Sequence, residues 1–339
     1  MKRIFVLAGL MMGLLLSVPS LSTASDGGGI QVERVSGANR YETAVKISQK
    51  TFEKADTVII AYGGNFPDAL AGGTLASDIG APILLVDRSI SNVVKDELVR
   101  LKVKKVYIIG GTAVVSPSIE KELKRKYTTV RLAGSNRAET SMEVNYERQR
   151  VNTGGPAYGG DYSSYFLASG TRFPDALAAA PLIGQMKGQF YDENDPYWSN
   201  PTMYLALYTP GGFEYAWYIV GGSSAVPYLP EYETYVDGGI RIAGENRYGT
   251  AVELAKMYPK ETGKTIDTVV LANGLNYPDA LASAPLVSSR DAVLLLTDPN
   301  HLSKETKEYI ENNSIRTVII TGGGSAVSNN IVEEIRSLK

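Results

Sequence analysis

The feature that most constrains this chain is a triplication. The segment NFPDALA at Asn65–Ala71 returns as RFPDALA at Arg172–Ala178 and as NYPDALA at Asn276–Ala282. A second landmark, RVSGANRYET from Arg34, returns as RLAGSNRAET from Arg131 and RIAGENRYGT from Arg241, 97 and then 110 residues apart. A third is a glycine pair directly after an apolar run, at Gly110–Gly111, Gly221–Gly222 and Gly322–Gly323. Three landmarks in the same order in three copies define three units of one architecture.

Within the first unit, short continuous apolar runs (TVIIAYG, PILLVD, KVYIIGG) alternate with helical patterns such as SNVVKDELVRLK and SPSIEKELKRK. Runs without polar alternation read as strands covered on both faces, and the intervening helices supply the cover. The fold class expected is therefore α/β, each unit a layered module with a mainly parallel sheet. A leading strand at Glu33–Ser36 and a closing helix suit head-to-tail packing of the third unit against the first. The boundaries are residues 1–25 for a leader, 30–130, 131–240 and 241–339 for the repeats. The second unit departs from the scheme through a longer approach at Val151–Tyr165 and an insertion of loop-forming residues at Gly184–Asn200. Twelve of the 21 tyrosines fall between Val151 and Ile240. Aromatics in such loops either stack on sugars or dock a protein partner, or they form a satellite core.

The N-terminus, with Lys2 and Arg3 before the apolar run Ile4–Leu16 and small residues to Ser25, reads as a secretory signal peptide too short to span a bilayer. No later segment has the length of a membrane span. An exported chain of 339 residues with no cysteine relies on its apolar core rather than on disulfides. The single histidine, His301, and the lack of cysteine exclude a His-rich zinc site and a cysteine nucleophile; His301 itself reads as a solvated residue ahead of a helix. A formal charge of −2 gives no general attraction for nucleic acid, so an anionic partner must be held at local sites.

Each landmark has two readings. In PDALA, Asn65 or its equivalent can cap a helix, Pro67 fits a first turn, and Asp68 sits where the helix dipole favours an anion. Asp68, Asp175 and Asp279 are then structural or ion-paired; as catalytic carboxylates they would need a recurring acidic companion, and none recurs. The pairs Asn39–Arg40, Asn136–Arg137 and Asn246–Arg247 open a helix where free backbone amides and a guanidinium fork suit phosphate or carboxylate. Alternatively, Arg40 pairs with Asp68 inside its own unit. Gly110, Gly111, Gly221, Gly222, Gly322 and Gly323 permit sharp turns or close approach of a ligand, but complete no dinucleotide or phosphate-loop fingerprint, so no cofactor is expected.

Together, strand-GxNR, PDALA and strand-GG over Val32–Lys339 resemble the cell wall binding repeat 2 family, whose repeats occur as three tandem copies in exported Gram-positive proteins. The resemblance implies Rossmann-like modules packed as a pseudo-threefold triangle. It also implies non-covalent attachment to the cell wall through an anionic secondary polymer, a teichoic-acid-like or phosphodiester glycan. The ligand-binding candidates are Asn39, Arg40, Asn136, Arg137, Asn246, Arg247, Gly110, Gly111, Gly322 and Gly323, with no catalytic or metal-ligating residue. Ala138 replaces Tyr41 and Tyr248 in the second unit, and Arg172 replaces Asn65 and Asn276. The repeats fill the chain, leaving no room for a separate hydrolase. Two other classes stay open: a wall-glycan enzyme sited in the second unit, and a surface protein whose tyrosine-rich loops bind a protein partner.

Overall fold

The computed structural model describes residues 29–65, 67–153, 164–170, 172–186, 189–192, 216–226 and 240–338. The expected leader and most of the tyrosine-rich segments lie outside these residues.

The strands form three parallel sheets of four. The first contains β2 (Thr57–Tyr62), β3 (Ile83–Val86), β4 (Lys105–Ile109) and β5 (Thr128–Leu132), in the order β3-β2-β4-β5. The second contains β6 (Ser164–Ala168), β7 (Gln189–Asp192), β8 (Ala216–Val220) and β9 (Ile240–Ile242), in the order β7-β6-β8-β9. The third joins β1 (Gln31–Val35) to β10 (Thr268–Asn273), β11 (Val293–Thr297) and β12 (Thr317–Thr321), in the order β1-β12-β10-β11. Each sheet is thus offset by one strand from the sequence repeat. The opening strand of every repeat is an edge strand of the preceding repeat's sheet, and β1 closes the ring by pairing with β12, Gln31 opposite Thr317 and Val35 opposite Thr321.

β7 lies inside the segment expected to be an insertion of loop-forming residues. Its Gln189–Asp192 pair in register with Tyr165–Ala168, filling the place that β3 and β11 take in the other sheets. A strand of four residues with only two aromatic, β-favouring side chains carries too little apolar signal to stand out from its polar surroundings.

Two-sided burial of the strands holds. In the first sheet Ile59, Ala61, Ile83, Leu85, Tyr107 and Ile109 face a core shared by all three modules. Val58, Ile60, Leu84, Val86, Val106 and Ile108 face a separate outer core. That outer core is completed by α3 (Asn92–Arg100) and α4 (Pro117–Lys124) through Val94, Leu98, Ile119 and Leu123. Burying one such Ile or Leu contributes about 1.5–3 kcal/mol, so the continuous runs both specify and stabilise the sheet.

The centre of the molecule is made by the PDALA helices. These are α2 (Pro67–Ile79), α6 (Phe173–Gln185) and, in the third module, α8 (Pro278–Leu281) followed by α9 (Ala284–Ser289). Small residues permit their mutual contact: a Cβ on Gly73 would stand 3.2 Å from Ala180 Cβ and 3.6 Å from Ala284 Cβ. These three residues are each five positions after their repeat's aspartate, so equivalent positions meet at one pseudo-threefold axis. Pro285 opens α9 and separates it from α8, whereas Pro181 is carried inside α6.

The helices that follow the GxNR landmark fill the seams: α1 (Arg40–Thr51), α5 (Arg137–Thr153) and α7 (Arg247–Thr262). α5 lies against α2 of the first module, and its wholly buried Arg148 forms an ion pair at 3.2 Å with Asp78 of that helix. Removing either partner would strand a buried charge, which makes this pair a determinant of how the two modules sit together. α10 (Lys304–Asn312) and α11 (Asn329–Arg336) complete the third module. His301 is exposed in the turn before α10, 3.1 Å from Asp298.

Candidate functional site

The helix start at each GxNR landmark is built by the asparagine. Asn39 is extended at φ −151°, and its Oδ1 accepts from the Tyr41 and Glu42 amides at 3.0 Å each. Asn246 Oδ1 accepts from Tyr248 and Gly249 at 2.9 and 3.0 Å, and Asn136 Oδ1 from Glu139 at 2.9 Å. The Nδ2 groups are also engaged, Asn39 with Glu42 and Asn136 with Glu139. Glu42 and Glu139 reach back to the Ala38 and Ser135 amides, one residue before each asparagine, a variant of the capping box. In the third repeat Gly249 stands in the glutamate's place, and Glu305 of α10 takes the Asn246 amide at 2.6 Å. At these helix starts the asparagine side chain takes the second and third amides in the first and third repeats and the third in the second repeat.

The arginines are held differently. Arg40 Nη1 donates to the Gly63 carbonyl at 2.5 Å, Arg137 to Gly170 at 2.6 Å and Arg247 to Gly274 at 2.7 Å. Each bond goes to the loop just beyond the second strand of the same repeat and fixes the guanidinium at the carboxyl end of a sheet. The carboxylates that act on Arg40 and Arg247 electrostatically are Asp279 and Asp175, both from the preceding module around the ring. The expected pairing of Arg40 with Asp68 within one module concerns a side chain, that of Asp68, outside those described.

Where two modules meet, Asp175 is buried and Asp279 half-buried. A Cβ on Gly221 would stand 2.7 Å from Asp175 Oδ2, and one on Gly322 would stand 2.6 Å from Asp279 Oδ2. These glycines, with Gly110, have φ of +114°, +108° and +105°, a conformation other residues rarely adopt. Across the seam, the hydroxyls of Thr250 and Thr43 act on Asp175 and Asp279 and favour their ionised forms. The same hydroxyl oxygens accept from Gly244 and Gly37 at 3.2 and 3.1 Å. Burial raises both carboxyl pKa values above the usual aspartate range, partly offset by the threonine hydroxyls and then by the arginine charges. A carboxylate enclosed in this way has a place in the packing of the seam.

The second glycine of each pair is the open one. A Cβ on Gly111, Gly222 or Gly323 would meet nothing within 4 Å. In the first sheet Gly111 lines a cleft of about 240 Å³. Tyr62 and Asn65 bound it after β2, Val114 after β4, and Ser135, Asn136, Arg137 and Thr140 after β5. The sheet reverses its order between β2 and β4, and the crevice beyond strand ends at such a point is where open α/β sheets bind ligands. Its walls come from two repeats. Gly111 thus shares this cleft with Asn136 and Arg137 of the following repeat.

Two sets of recurring residues escaped the sequence reading. Arg34, Arg131 and Arg241 reach across the same seams, donating to the carbonyls of Gly322, Gly110 and Gly221 at 2.8, 2.6 and 2.7 Å. Thr43, Thr140 and Thr250 are the second set. Both recur at fixed distances from the NR pair, which was the signal available. At the second and third PDALA starts, Arg172 and Tyr277 occupy the cap position without a side-chain capping bond, so the start is left to the proline and the dipole. Among the described residues no group of three or more acidic or histidine side chains is placed to hold a metal ion, and no helix is long and apolar enough to cross a membrane. The protein partner expected at the tyrosine-rich loops concerns residues outside those described.

Comparison with known proteins agrees with this arrangement. The chain is 28% identical over 334 residues to N-acetylmuramoyl-L-alanine amidase LytC of Bacillus subtilis (strain 168), covering 98% of this chain and 62% of that protein. It is 26% identical over 301 residues to the amidase enhancer of the same strain, covering 87% and 39%. The chain therefore spans less than two thirds of either relative. Among solved structures, Cwp8 from Clostridium difficile superposes with a TM-score of 0.74 at 27% identity, over 91% of this chain and 52% of that one. Cwp6 from the same organism shares the fold with a TM-score of 0.76 at 23% identity, over 91% and 48%. Residues 34–120, 131–229 and 241–332 each match Cell wall binding domain 2 (CWB2), and the chain belongs to that family.

Proposed function

We propose that this protein is exported and holds itself on the cell wall non-covalently, gripping an anionic secondary wall polymer in the clefts between its modules. The observation that carries the reading is the cleft at the first seam. There Arg137, held by the Gly170 carbonyl, stands beside the open Gly111 at a topological switch point. A guanidinium with one edge fixed and its charge close to solvent suits a phosphodiester or carboxylate. Arg40 and Arg247 are held in the same way at the other two seams. With a net charge of −2, such local donors rather than the overall field must attract the polymer. A repeating polymer meeting repeated clefts gains through effective concentration, so each contact can be weak.

The test is co-sedimentation with purified walls, intact and stripped of their anionic polymers. Retention on intact walls and loss after stripping are expected. Charge reversal of Arg40, Arg137 and Arg247 together should abolish retention, since each charge-assisted contact is worth about 1.5–3 kcal/mol. Thermal unfolding of the variant checks that the lost carbonyl bonds have not unfolded the ring. Undiminished retention of a folded triple variant, or binding to stripped walls, refutes the reading.

A further inference from the structure

The three switch points do not carry the same residue. Five positions before the proline of each PDALA landmark stand Tyr62, Ser169 and Asn273, at or just past the ends of β2, β6 and β10. In the third module Asn273 is buried and engages both ends of its amide. Its Nδ2 donates to the Ala326 carbonyl at 2.8 Å, and its Oδ1 accepts from the Leu275 amide at 2.7 Å. That strap ties the loop after β10 to the loop after β12, across the point where the strand order reverses. Ser169 is wholly buried. In the first module a phenol ring replaces the strap. Tyr62 is half-buried against the outer core, and Tyr62 and Val114, the counterparts of Asn273 and Ala326, both line the cleft of about 240 Å³. Gly64 makes room for the ring: a Cβ there would stand 2.7 Å from Tyr62 Cε1, and the third module has Leu275 in that place.

We propose that the cleft at the first seam is a saccharide subsite, in which one sugar ring of the polymer stacks on Tyr62 while the acidic group beside it meets Arg137. The inference rests on the reading of the clefts as polymer sites, and adds what this one recognises besides charge. A pyranose has C–H faces and a hydroxylated rim, and a tyrosine offers it the matching apolar body and polar tip. Ligand sites commonly join an aromatic wall to a few well-placed polar groups in this way, and here Arg137 and Asn136 line the same cleft as the ring. The space equals that of about eight water molecules, room for a single saccharide unit. Packing on the outer core holds the ring before any ligand arrives, so little ordering cost attends binding. At the other two switch points the equivalent side chain is buried and offers no ring. Tyr62 is thus the residue that makes the first seam selective for a sugar-bearing polymer.

The experiment compares two soluble probes by titration calorimetry of the folded chain: a hexose phosphate polymer, and poly(glycerol phosphate), which carries the phosphodiester without a ring. The wild-type chain should bind the hexose polymer about threefold to tenfold more tightly. Tyr62→Ala should lose that margin and keep its affinity for poly(glycerol phosphate), whereas Tyr62→Phe should keep most of the margin. Proton NMR of the hexose polymer should show ring protons shifted upfield by the wild-type chain and not by Tyr62→Ala, a signature that a packing role would not produce. Thermal unfolding checks the fold of each variant, and should Tyr62→Ala fail to fold, the shifts in the wild-type complex decide alone. Equal affinity of the wild-type chain for the two probes, with no upfield shift, overturns the subsite and leaves the charge reading intact. Equal loss for both probes in a folded Tyr62→Ala chain assigns the ring to packing and overturns it as well. Binding of neither probe by the wild-type chain refutes the polymer reading itself, and with it this inference.

Discussion

At the scale of single residues, the two glycines of each pair do opposite jobs, and the difference can be measured. Gly322 combines φ +108° with an Asp279 oxygen 2.6 Å from any added Cβ, while Gly323 faces open space. Gly322→Ala must strain the backbone and displace the Asp279 carboxyl, for an expected loss of about 2–4 kcal/mol in chemical denaturation. Gly323→Ala should change stability by less than about 0.5 kcal/mol. A Gly322→Ala variant as stable as its Gly323 counterpart would mean the seam is looser than this geometry. The glycine pairs were visible in the sequence, but their division of labour was not, because it depends on an aspartate more than forty residues away and on the sign of φ. The asparagines mislead for a related reason: a residue that caps a helix and one that presents an amide to a ligand look the same until their hydrogen bonds are traced.

At the scale of elements, strands and helices were largely legible because two-sided burial writes itself as uninterrupted apolar runs, as in Val58–Ala61 and Val269–Ala272. β7 was not, since four residues flanked by polar sequence leave no run to find. The sharing of sheets between repeats was also hidden, as nothing in the sequence of Arg34–Val35 says whose edge it will join. The central helices illustrate what the alanines in PDALA are for. Gly73, Ala180 and Ala284 set how closely three helices approach, and the Gly73 position already has a neighbour 3.2 Å from a virtual Cβ. Gly73→Leu should overpack the axis and cost about 2–4 kcal/mol, more than the 1–3 typical of a single insertion because two helices must yield. Unfolding by denaturant would check it, and an unchanged midpoint would place the axis elsewhere.

At the scale of the molecule, the ring has no repeat that is complete in itself, and its closure depends on its first strand. β1 brings Val32 and Val35 to β12, and Arg34 clamps the Gly322 carbonyl at 2.8 Å, so the seam between the third and first modules is covered only while that strand is docked. Undocking leaves β12 as a bare edge, which invites pairing with β1 of another chain and therefore open, head-to-tail assembly. The Gln31 amide donates to the Arg316 carbonyl, and strand alternation puts the Glu33 amide on the same side. Glu33→Pro removes that donor without touching the core side chains of Val32 and Val35. It should lower the midpoint of thermal unfolding, populate dimers or larger species at high concentration, and weaken wall retention more than a proline placed outside the paired residues at Gly29. Sedimentation velocity and co-sedimentation with walls read both effects. A Glu33→Pro chain that stays monomeric, equally stable and fully retained would show that the ring holds without its first strand, and that the seam it covers contributes nothing to binding.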